Sequence, residues 1–130
     1  MYQYQFNKLI RSNLPDRMEK EGVFVNSEAL SSKEYIKQLK NKIIEEANEV
    51  AESTTIEELE IELADVMEVI HALAEANGLD ISGIEAARVK KRQENGCFHP
   101  SCYVHDIKVA KDNHKVIEYL ENKNIPYKHS

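Results

Sequence analysis

Tryptophan is absent from this chain, and cysteine, proline and glycine are scarce at two, three and four residues. Two cysteines, Cys97 and Cys102, are too few for a disulfide framework, which points to a reducing cytoplasm. With so little proline and glycine there is no low-complexity tract or flexible linker, and no internal repeat is present. No apolar run approaches the roughly 20 residues needed to span a bilayer. The opening MYQYQFNKLIR lacks the apolar core of a secretory signal. A surplus of positive charge is also missing. The net charge is -6, and the aromatics do not interleave with a basic patch, which argues against binding a nucleic-acid polymer. Glycine-rich phosphate loops, nucleophile elbows and HExxH patterns are absent as well.

What the 130 residues do contain is helix signal, enough for a single domain with its own core. Asn13 with Pro15 opens a short helix that Gly22 can stop. Ser31 and Glu34 form a capping box for a long helix to about Glu52, and Thr55 and Glu58 form another for a helix to Asn77, before Gly78. Ser82 with Glu85 repeats the device for a third long helix, closed by Gly96. DNHKVIEYLENKN reads as a short amphipathic helix. Strand or loop character is confined to Tyr2–Phe6, where aromatic residues alternate with glutamine, and to Cys102–Val109. The expected fold is an all-α bundle with a small strand or loop element near the termini.

Acidity is concentrated in one segment. Residues 41–65 hold nine acids against one base, Lys42, so the rest of the chain is slightly positive. Two of these acids interrupt apolar seams. Ile36, Leu39, Ile43 and Val50 follow a heptad pattern whose missing member is Glu46; Leu59, Val66, Val69 and Leu73 follow another, interrupted by Glu62. Glu49 and Asp65 lie three residues beyond these and on the same sides of their helices. Glu46 and Glu62 are equally distant from Thr54. A turn there makes the helices antiparallel neighbours and sets the two acidic pairs face to face across about 8–10 Å between axes.

Four ionised carboxylates about 6 Å apart repel by about 17 kcal/mol in all at an effective dielectric of ~20, and by about 4 kcal/mol in water. The first figure rivals the ~5–15 kcal/mol total stability of a domain. A buried seam therefore needs protonation or a counter-ion. A hard divalent cation, Mg²⁺ or Mn²⁺, suits carboxylate oxygens and leaves positions for phosphate. An exposed acidic hairpin that pairs with a basic partner protein is the other reading of the same charges.

The motif EExxE, here Glu45-Glu46-Ala47-Asn48-Glu49, followed by ExxD at Glu62-Leu63-Ala64-Asp65, resembles the signature of the MazG-type all-α nucleoside triphosphate pyrophosphohydrolases. Phosphoribosyl-ATP pyrophosphohydrolase of histidine synthesis belongs to the same superfamily. Lys42 fits a lysine often seen before EExxE; FNKLIRSNLP resembles an N-terminal YNKLVRDKIP stretch, and KKRQENGCF a later K-x-x-x-R-G-G-F. The likeness spans residues 5–98 and leaves 99–130 as a poorly matched extension. Ser12 and Asn95 depart from the Asp and Arg of those stretches. The resemblance implies Mg²⁺-dependent hydrolysis of an NTP or dNTP to a monophosphate and pyrophosphate. Glu46, Glu49, Glu62 and Asp65 would hold the metal, Glu49 or Glu45 would act as base, and Lys8, Arg11, Lys42 and Lys91 would meet the phosphates. It also implies a homodimer or homotetramer. Phosphoribosyl-ATP is the narrower alternative substrate, and a non-catalytic acidic helical adaptor is the alternative from another class.

Cys97, His99, Cys102 and His105 give a C-x-H-x2-C-x2-H spacing that matches no common zinc finger, so ordinary loop residues are favoured over a zinc site. His71, on the helix after Asp65, is expected to be a packing or surface residue.

Overall fold

A computed structural model describes residues 1–127. It contains α1 (Leu14–Lys20), α2 (Ser32–Glu52), α3 (Ile56–Ala76), α4 (Ile81–Asn95) and α5 (His114–Asn122), with no strand among the described residues. The chain is all-α, as its capping pattern predicts. Its backbone contacts divide it into one unit of Met1–Glu94 and a second beginning at Asn95. The last three residues of the C-terminal extension lie outside the described residues.

In the first unit the helix boundaries follow from local chemistry. The Ser31 hydroxyl accepts from the Glu34 amide at 3.2 Å, and the Thr55 hydroxyl accepts from the Glu58 amide at 3.1 Å, satisfying otherwise unpaired N–H groups at the starts of α2 and α3. The Glu58 carboxylate reaches back to the Thr54 amide at 3.0 Å, which fixes the turn between the two helices. At the end of α3, Gly78 takes φ +68°, letting Leu79 donate to the Ala74 carbonyl and Gly78 to that of Glu75. The expected start of α4 needs correction. Asp80, not Ser82, supplies the carbonyl for the first helical bonds, from Gly83 and Ile84, so the helix begins at Ile81. Glu85 is thereby freed to pair with Arg88 at 2.5 and 2.9 Å.

The two long helices, joined by Ser53–Thr55, pack against each other and form the core of this unit. Leu39, Val69 and Ala74 are buried, and the other seam residues (Ile36, Ile43, Val50, Leu59, Val66 and Leu73) are half-buried. Truncating Leu39 to Ala removes a central contact of this small core. It is expected to cost about 2–4 kcal/mol, read from urea unfolding.

Tyr2, Tyr4 and Phe6 are exposed loop residues, because an alternating stretch becomes a strand only beside another strand. In the second unit Cys102–Val109 is likewise loop. There α5 is capped by Asn113, whose side chain accepts from the Val116 amide at 3.4 Å, and turns its half-buried Val116, Ile117 and Leu120 to one side.

Candidate metal centre

The symmetric spacing about Thr54 brings the four predicted acids together. One carboxylate oxygen from each of Glu46, Glu49, Glu62 and Asp65 lies within 4.8 Å of the others. Glu46 is only 8% exposed, Glu62 and Asp65 are half-buried, and Glu49 is exposed. This grades the cluster from the helix seam outward to solvent.

Burial and mutual repulsion act on these groups in the same direction. Loss of solvation raises the Glu46 pKa from 4.5 to about 7, with further upward pressure from Glu49 and Asp65 that Lys42 only partly offsets. The Glu62 pKa is also raised, first by desolvation and then by Glu49, Asp65 and Glu58. Oε2 of Glu46 and Oε2 of Glu62 are buried without a hydrogen-bond partner. Buried polar atoms are almost always paired, so two orphaned carboxylate oxygens on members of one acidic cluster are what a site able to hold a cation would show. The donor set is all oxygen and all carboxylate, which fits a hard ion such as Mg²⁺ or Mn²⁺ rather than a soft one.

Three basic residues border the acids. Arg11 Nη2 lies 2.7 Å from Asp65 Oδ1, and Lys8 Nζ lies 3.3 Å from Glu45 Oε1. Lys42, one turn before the acids on α2, reaches Glu45 Oε2 at 3.2 Å and Glu46 Oε1 at 3.7 Å. Burial would raise the Glu45 pKa, but the hydrogen bonds from Lys42 and Lys8 outweigh it and hold the carboxyl below its ordinary value. Two of the four predicted phosphate-binding cations, Arg11 and Lys42, thus contact acids of the cluster, and Lys8 reaches the neighbouring Glu45. Lys91 is exposed on α4 and, among the described residues, has no ion pair.

The resemblance names Lys8 and Arg11 as phosphate-binding groups, but their particular pairings with Glu45 and Asp65 are not legible in the sequence. These contacts span 37 and 54 residues, and no periodicity links a loop to a helix at that distance.

Cys97, His99, Cys102 and His105 are exposed, and Cys97 Sγ donates to the His99 carbonyl at 3.5 Å. Among the described residues, the four acids are the one group of His, Cys, Asp or Glu side chains placed so that it could hold a metal ion. His71 is exposed on α3. No helix among the described residues is long and apolar enough to cross a membrane. Comparison of the chain with protein-family models, curated proteins and solved structures gives no match.

Proposed function

We propose that the protein is a divalent-metal-dependent nucleoside triphosphate pyrophosphohydrolase of the MazG type, cleaving an NTP or dNTP to a monophosphate and pyrophosphate. The observation that carries this reading is the four-carboxylate cluster with two buried, unpartnered oxygens on the seam of a helical hairpin. Glu46, Glu49, Glu62 and Asp65 would hold Mg²⁺ or Mn²⁺. When bound, such an ion polarises phosphate oxygens and offsets the charge that builds on them.

The remaining steps fall to the chain's own groups. The exposed Glu49 is suited to take a proton from the attacking water. Glu45, the other candidate base, is a weaker choice because two lysines depress its proton affinity. Lys8, Arg11 and Lys42, which pair with Glu45 and Asp65, would be the groups to meet the triphosphate. Lys91 would need a nucleotide to reach α4. Phosphoribosyl-ATP remains the narrower alternative substrate.

Assembly into a homodimer or homotetramer belongs to the same proposal. Three buried hydrophobic residues among the described ones form a meagre core, while Ile44, Ile61, Leu63 and Met67 are 47–62% exposed on the two long helices. Analytical ultracentrifugation at micromolar concentration is expected to give a mass at least twice 15.0 kDa, and a monomer would contradict assembly.

A product assay across NTPs, dNTPs and phosphoribosyl-ATP, with Mg²⁺ or with EDTA, tests the reaction. Metal-dependent pyrophosphate with a monophosphate is expected. Orthophosphate with a diphosphate would place attack at the terminal phosphate and contradict the proposed cleavage. A folded sample that turns over none of these compounds would favour an acidic helical adaptor.

A further inference from the structure

The cations around the cluster differ in how they are held. Lys42 sits on α2 beside its acids, at i,i+3 and i,i+4, and is fixed there by the helix. Arg11 comes from the loop before α1, and its side chain is 58% exposed. Its guanidinium contacts a single oxygen of Asp65, at 2.7 Å, and no other acid among the described residues. Asp65 is one of the four groups whose oxygens lie within 4.8 Å of one another. An ion among those oxygens would stand within a few ångströms of a permanently charged guanidinium, close enough to repel it even at the rim of the site. The two cations would repel each other, and both draw on the same carboxylate.

We infer that Arg11 is an internal counter-cation of the acid cluster: it competes with the divalent ion for Asp65 and leaves that carboxylate when the ion binds. This rests on reading the four acids as a metal site. The long side chain can swing away while the half-buried Leu9 and Ile10 keep the loop in place. Once displaced, the guanidinium is free to pair with an anionic phosphate group, so arrival of metal and capture of phosphate support each other. Because the coupling is an equilibrium property, it runs both ways: whatever weakens the Arg11–Asp65 pair must strengthen metal binding.

Mn²⁺ titration of the full chain, followed by the loss of free-ion paramagnetic resonance, tests this in wild type and in Arg11→Gln, with Arg11→Lys as the charge-retaining control. Arg11→Gln is expected to bind Mn²⁺ about tenfold more tightly than wild type, with Arg11→Lys close to wild type. Unchanged or weaker binding by a folded Arg11→Gln, with wild type still binding, overturns the inference and leaves the metal site standing. No Mn²⁺ binding by wild type overturns both. A second readout does not depend on the variant's folding. In ¹⁵N-labelled wild type, saturating Mg²⁺ is expected to move the Arg11 Nε–H resonance to its solvent-averaged position. A resonance unmoved by bound Mg²⁺ would show that Arg11 stays on Asp65, and would overturn the inference.

Discussion

Glu46→Gln is expected to lower metal-dependent turnover by at least about a hundredfold while leaving the protein folded and, without metal, more stable near neutral pH. Both effects come from the same carboxylate. Its burial and its orphaned Oε2 suit it to a cation, and they also make the ionised form costly when no cation is present. Glutamine keeps the shape and removes the charge, and its amide can donate to the carboxylates beside it. The expected gain above pH 7 is at most about 3 kcal/mol, from the rise in the Glu46 pKa to about 7. Urea unfolding in EDTA measures it, and circular dichroism confirms the helices. An adaptor built on the same hairpin would show the gain in stability without any turnover to lose, so the pair of readouts separates the two functions.

The second large effect is on stability as a function of pH. Glu46 and Glu62 both have pKa values raised in the folded state, so each holds its proton to higher pH in the native protein than in the unfolded chain. The Glu46 contribution is fully favourable below pH 4.5 and is lost as pH rises through about 7, and Glu62 acts in the same direction. In EDTA the melting temperature is therefore expected to fall between pH 5 and pH 8, by about 5–10 °C. Glu45, with its pKa lowered by Lys42 and Lys8, works in the opposite sense, losing stability as pH falls below its usual range. Millimolar Mg²⁺ or Mn²⁺ should restore the loss at pH 8, by about 2.7 kcal/mol at a hundred times the dissociation constant. A melting temperature that is flat across this range and indifferent to metal would contradict the electrostatic account of the cluster.

The centre was legible because it is written in local periodicity. Glu46 and Glu62 each break a seven-residue apolar pattern, and the capped turn at Ser53–Thr55 sets them at equal height. Helix ends were readable where a side chain or a glycine does a defined job, as at Ser31, Thr55 and Gly78. At α4 the expected Ser82 cap fails, because the first helical bonds run to the Asp80 carbonyl and place Ser82 inside the helix. Tyr2–Phe6 has the alternation of a strand but no neighbouring strand to complete it, a fact that no short window of sequence contains. The placement of Arg11 and Lys8 on Asp65 and Glu45 is likewise tertiary, set by where the loop before α1 crosses the hairpin.

An anomalous-difference map from crystals grown with Mn²⁺ tests the central claim most directly, because it locates the ion without reference to activity. The account predicts one principal peak among Glu46, Glu49, Glu62 and Asp65, at about 2.0–2.4 Å from their carboxylate oxygens. A map with no peak there, at Mn²⁺ concentrations that saturate activity, would contradict it.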